Sequence, residues 1–219
     1  MDKVRTKELF DAFPPYLEEF MLAFEYPWQC LGFLGVYIEK LISEGIEGYS
    51  EIKEGVLVGK DVKIAESAFI EGPAIIGDGC EIRHGAYFRG NVILGRGCVV
   101  GNSCEMKNCV VLDNAQIPHF NYVGDSVLGN RAHLGAGAVC SNFKAGGSEV
   151  YIKGEREYKS GRRKLGAILG DGADMGCGCV LNPGTVVGKN TTAYPLCALR
   201  GVYGENLIIK SPQNIVERK

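Results

Sequence analysis

The 219 residues are 46% hydrophobic and carry a formal net charge of −2, with a mean hydropathy of zero and a pI near 6.0. These totals fit one sizeable globular domain and exclude a membrane class. They also leave no basic surface on the scale that nucleic acid demands, since such binding is dominated by phosphate neutralisation, although a local basic cluster can still meet a small anion.

The opening stretch, MDKVRTKELFDAF, mixes charges of both signs and lacks the apolar core and cleavage site of an export signal, so a cytoplasmic location is expected. Residues 5 to 45 hold LFDAF, a Pro-Pro break, YLEEFMLAF and, after Tyr26-Pro27, WQCLGFLGVYIEKLIS, with apolar residues recurring at three and four. Two or three short helices are predicted, forming a leader over residues 1–50 whose expected role is to cap the open end of the repeat that begins at Val58.

From Val58 an aliphatic or aromatic residue returns every six positions: VGKDVK, IAESAF, IEGPAI, IGDGCE, IRHGAY, FRGNVI, LGRGCV, VGNSCE. Two later units, MKNCV and VGDSV, are five long, and a second run from LGDGAD to AYPLCA closes at Leu199. A helix repeats at 3.6 and a half-buried strand at two, so a period of six is a solenoid signal. Six residues supply a short strand and a bend, three units close a coil, and coils stack at about 4.8 Å. The prediction is an all-β parallel β-helix of about seven coils over residues 51–219, with each recurrent aliphatic pointing inward.

Nine cysteines are expected to be reduced in such a setting. Cys80, Cys98, Cys104, Cys179 and Cys197 take the fifth place of the repeat, a slot for small residues, and free cysteine packs as a small hydrophobe. Cys177 and Cys179 lack a second pair or a histidine at zinc spacing. Over about 143–167 the hexads vanish into a charged loop, KAGGSEVYIKGEREYKSGRRK, and a loop that long inside a compact repeat is usually functional.

Arg89 and Lys107 stand eighteen residues apart, hence on the same side one coil on, and two stacked cations make a phosphate clamp. The ordered motifs FRG, GNSCEMK, HFNYVGDS, LGAGAVCSNF and GRRKLGAILGDG resemble the acetyltransferase half of the bifunctional enzymes that acetylate glucosamine 1-phosphate and then uridylylate the product. With the leader's EYPW, the likeness extends to the stand-alone relatives called UDP-N-acetylglucosamine pyrophosphorylase-related.

That resemblance implies a left-handed solenoid, where the general crossover rule favours the right, and a homotrimer with sites at its seams. It implies acetyl-CoA as co-substrate and no metal. In the family's pattern His119 is the general base that takes the proton of the attacking amine, chemistry suited to a histidine. Arg89, Lys107 and Lys164 then hold the phosphate, Tyr122 and Asn142 contact the sugar and its amine, and Glu105 belongs to the same CEMK motif. Gly135, Ala136, Cys177 and Pro195 are the implied cofactor contacts. Before Val58 no strand leads into a glycine-rich nucleotide loop, so UTP chemistry is not expected.

The sequence departs from the bacterial pattern at His133, where asparagine is usual, at Phe143 for tyrosine and at Cys177 for serine, and the loop 144–163 is longer. These leave open glucosamine or galactosamine, a nucleotide-linked acceptor, and a sugar-phosphate sensor or scaffold without turnover. A zinc site of three histidines, as in β-helical carbonic anhydrases, is disfavoured because His84 and His119 share the third place of a hexad while His133 takes the sixth.

Overall fold

The computed structural model describes residues 3–218; residues 1 and 2 of the expected leader, and residue 219, lie outside them. From Val56 the chain winds through three parallel sheets of very short strands, as the period of six requires. The first face stacks Val56–Val58, Ala74–Ile76, Val92–Leu94, Cys109–Val111, Val127–Leu128, Ala167–Leu169, Thr185–Val187 and Val202–Tyr203. The second face carries Gln116–His119 and His133–Leu134, and the third carries Glu105–Lys107 and Tyr122–Gly124. Seven strands on the third face mark seven complete coils.

Register follows the repeat. Ala74 lies opposite Val92, eighteen residues on, whereas Val92 lies opposite Cys109, seventeen on, because the MKNCV unit is one residue short. Val127 lies opposite Ile168, forty-one residues on, so the whole loop leaves and re-enters at one corner without disturbing the stack. The inward column of aliphatics, with Cys80, Cys98, Cys104, Cys179 and Cys197 among them, forms one continuous interior.

The helices do not cap an end. The helices Thr6–Leu9, Pro15–Leu22 and Leu34–Glu44, with a 3₁₀ turn over Pro27–Gly32, lie along the outside of the first face. There Trp28, Leu31, Leu34 and Ile38 share a second core with Leu57, Ile75, Ile93, Val110, Val127, Ile168 and Val186. The physical reason is visible in the strands: VLV, AII, VIL and CVV are apolar at every position, and a strand that is apolar on both faces needs cover on both. The ends are closed otherwise. Ser50–Lys53 pairs antiparallel to Val56–Val58 at the first coil, and the hairpin of Leu207–Ser211 with Asn214–Glu217 finishes the second face at the last.

The loop is also built in. Its hairpin, Tyr151–Lys153 with Glu157–Lys159, lays Tyr158 edge-on against Tyr26 and Trp28, at centroid distances of 5.5 and 6.0 Å. Trp28 therefore joins leader, loop and solenoid in one buried contact. Trp28→Ala is expected to cost about 3–5 kcal/mol, read as a lowered denaturant midpoint at unchanged slope. No helix among the described residues is long and apolar enough to cross a membrane.

Candidate functional site

Two corners flank the third face, and the candidate residues divide between them. At the corner leading into it, six successive coils turn through a residue in the left-handed region: Gly85, Ser103, Phe120, Gly137, Gly178 and Leu196. The residues just before these bends form a ladder, because the amide of each bend residue donates to the carbonyl of the preceding rung: Phe120 to Asn102, Gly137 to His119, Gly178 to Ala136 and Leu196 to Cys177. His119, Ala136, Cys177 and Pro195 thus occupy successive coils of one corner, and Gly135 precedes the second of them.

His119 ends its strand exposed, and its ring makes no hydrogen bond among the described residues. Its backbone is held from inside: the buried Asn121 accepts the His119 N–H at 3.0 Å and donates to the carbonyls of Gly135 and Ala138 at 2.8 and 3.1 Å. One buried amide therefore ties the His119 turn to the next coil while the imidazole stays free for a ligand.

At the other corner, a cleft of about 470 Å³ is lined by Lys107, Asn108, Asp125, Arg162, Arg163 and Lys164, with Leu31 and Gly32 of the leader as a wall. Its centre is Asp125, whose side chain is 3% exposed. Asp125 accepts from Asn108 Nδ2 at 2.8 Å and from Asn142 Nδ2 at 2.6 Å, and lies 3.6 Å from both Lys107 Nζ and Arg162 Nη2. Asn142 also donates to the Tyr122 hydroxyl at 3.0 Å. Partial burial, reinforced by the Asp125 and Glu105 carboxylates, raises the Tyr122 pKa and keeps this hydroxyl protonated. Tyr122 lies over Gly124, where a Cβ would come within 2.8 Å of Asn142 Nδ2.

The structure brings Lys107, Tyr122, Asn142 and Lys164 to this corner, but it does not form the expected clamp of Arg89 over Lys107. Their backbones are neighbours, as the pairing of Glu105 with Tyr87 and Met106 with Phe88 requires. Their side chains part because each finds its own carboxylate: Arg89 Nη1 meets Glu105 at 2.6 Å on the open face, and Lys107 turns to Asp125. The bond to Glu105 raises the pKa of Arg89. The sequence motifs did not single out Arg162, Arg163 or, above all, Asp125, although Asp125 stands within HFNYVGDS. The signal was positional, since stacking the short units puts it directly over Lys107 and Asn108.

His133 lies on the second face with Nδ1 2.7 Å from Asp174 Oδ1, and His84 Nδ1 is 2.6 Å from Ser67 Oγ. The described residues contain no cluster of three or more His, Cys, Asp or Glu side chains able to hold a metal. Cys177 is the one exposed cysteine among the described residues. Burial pushes the thiols of Cys30 and Cys140 up to about 12. One fast equivalent of thiol is therefore expected with a disulfide reagent on the folded protein, lost in Cys177→Ser, with the others reacting only on unfolding. These raised values stabilise the fold below pH 9, the thiol's ordinary value, and the contribution is lost as pH rises toward about 12, because only the unfolded chain ionises in that window.

Residues 70–160 match the family model described as the GMPPB C-terminal domain. A bifunctional sugar-1-phosphate nucleotidylyltransferase/acetyltransferase of Sulfurisphaera tokodaii is 34% identical over 152 residues, 68% of this chain and 38% of that protein. The bifunctional protein GlmU of Methanococcus maripaludis is 31% identical over 118 residues, 53% of this chain and 29% of that one. The chain thus spans well under half the length of these curated relatives. Among solved structures, a mutant of AntD, an N-acyltransferase from Bacillus cereus bound to dTDP and coenzyme A, aligns with 80% of this chain and 92% of its own at 15% identity and a TM-score of 0.45. The acetyltransferase domain of PglB from Neisseria gonorrhoeae, bound to acetyl coenzyme A, covers 83% and 63% at 15% identity and a TM-score of 0.36. With its six-residue repeat and three-sided parallel coil the chain has the architecture of a hexapeptide-repeat β-helix, and over its solenoid it is similar to the bifunctional sugar-1-phosphate nucleotidylyltransferase/acetyltransferases.

Proposed function

We propose that the chain is an acetyl-CoA-dependent N-acetyltransferase whose acceptor is an amino-sugar 1-phosphate, glucosamine or galactosamine. The observation that carries this reading is the placing of His119: an exposed imidazole with no hydrogen-bond partner among the described residues, at one end of a three-residue strand, Tyr122–Gly124, whose other end opens on the basic cleft.

In this reading Lys107 and Lys164 take the phosphate, with Arg162 and Arg163 completing the positive field. Tyr122 and Asn142 orient the sugar. His119 accepts the amine proton as nitrogen attacks the thioester carbonyl, the C–S bond breaks, and coenzyme A leaves as a thiolate that is reprotonated. Acetyl-CoA runs along the ladder of Gly135, Ala136, Cys177 and Pro195, on the same corner as His119. A homotrimer would cover the exposed apolar side chains of this corner, Phe120 at 63% and Leu196 at 82% exposed, which stand three rungs apart. A nucleotide-linked amino sugar is a second acceptor class, favoured by a cleft larger than one phosphate needs.

The test is acceptor-dependent release of coenzyme A, measured as free thiol with glucosamine 1-phosphate, galactosamine 1-phosphate and UDP-linked amino sugars, against a blank without acceptor because Cys177 is exposed. Release with a 1-phosphate establishes the activity and names the sugar. Failure of every amine to release thiol, from protein that binds acetyl-CoA, overturns it in favour of a sensor or scaffold.

A further inference from the structure

Asp125 is out of place in a cleft that is otherwise built for an anion. A carboxylate there repels the ligand unless neighbouring cations neutralise it, and its burial is unfavourable unless its oxygens are fully bonded. Both conditions are met. Asn108 and Asn142 donate to separate oxygens, and Lys107 and Arg162 flank the group, one on each oxygen.

These partners come from three different places. Lys107 and Asn108 belong to the preceding coil and Asn142 to the following one, while Arg162 belongs to the far end of the loop. Arg162 also reaches along its own segment, donating from Nε to the Lys164 carbonyl at 3.2 Å, and its guanidinium abuts Gly32 of the leader, where a Cβ would stand 3.3 Å from Nη1. The backbone of Asp125 closes the same knot: its N–H donates to Lys107 O at 2.9 Å and its carbonyl accepts from Gly166 at 2.8 Å. Asp125 holds a left-handed φ of 48°, a conformation that aspartate and asparagine tolerate, so the carboxylate is aimed by the corner itself.

We propose that Asp125 is the positioning residue of the phosphate cleft, fixing Lys107 and Asn142 in place and, through Arg162, docking the loop that carries Lys164 to the ligand. The inference rests on the amino-sugar phosphate reading for its ligand, and its structural half stands without it. Asp125 does not touch the phosphate; it sets the cations that do, and it makes an ordered loop and an assembled anion site one event.

Asp125→Asn keeps the shape and the backbone conformation and removes the charge. With the intact protein, the KM for glucosamine 1-phosphate is expected to rise about tenfold or more, while kcat and the KM for acetyl-CoA stay within about twofold. A general loss of structure moves all three together. The second readout needs no turnover: trypsin cleavage after Arg162, Arg163 and Lys164, with and without inorganic phosphate. Phosphate is expected to protect the wild-type segment and to fail to protect Asp125→Asn.

Wild-type KM and phosphate protection in Asp125→Asn overturn the proposal, and so does a uniform loss across kcat and both KM values. If Asp125→Asn does not fold, Asn108→Gly removes a donor to the same carboxylate, keeps the left-handed turn and decides by the same two readouts. If wild-type protein turns over no amino-sugar phosphate, the functional reading fails and the trypsin result alone decides the role of Asp125.

Discussion

His119→Ala is expected to lower turnover by about 10²–10⁴-fold, the usual contribution of a positioned general base, while acetyl-CoA binding is retained. The separation has a geometric cause. The imidazole is exposed and makes no hydrogen bond among the described residues, so truncating it breaks nothing in the fold, whereas the surfaces that would take the cofactor lie on later rungs of the same ladder. Calorimetric binding of acetyl-CoA beside a steady-state assay measures both halves. A variant with undiminished turnover would remove His119 from the reaction.

Gly101→Ala is expected to act on the stack and the site together. Gly101 is buried, and a Cβ there would fall far inside van der Waals contact of the Pro118 carbonyl oxygen and carbon. The obstacle is the backbone of the next coil, so no rotamer change relieves it, and the two coils must separate. Overpacking costs about 1–3 kcal/mol when side chains can adjust; here the upper end or beyond is expected. Because Pro118 precedes His119, the same shift displaces the imidazole, and activity should fall further than the unfolded fraction explains. Denaturant unfolding and kcat on one preparation test this. Wild-type stability would mean that the coils at this corner do not stack rung on rung.

The repeat announced the solenoid because the inward column depends on one residue in six, and nothing else in the chain competes with that period. The two five-residue units announced the short coils in the same way. The outward burial of the first face was equally present, in the unbroken apolar runs VLV, AII and VIL, but a pattern search tuned to the inward column passes over their middle residues. Those middle residues, Leu57, Ile75 and Ile93, are what draw the leader onto the flank. At the site, the motif residues lay near one another by virtue of their columns. The pairing of their charges did not follow, because whether Lys107 stacks on Arg89 or turns to Asp125 depends on which carboxylate each can reach, a matter of side-chain direction that spacing does not carry.

The corner from which the loop departs has a meaning for how such a chain can change. Val127 and Ile168 meet as if nothing lay between them, and two earlier coils pass the same corner one residue short. Length is thus tolerated in both directions at this one vertex. A wall of the basic cleft is attached where the scaffold is indifferent to what is inserted, so that wall can be rewritten in one segment while every rung of the His119 corner keeps its place.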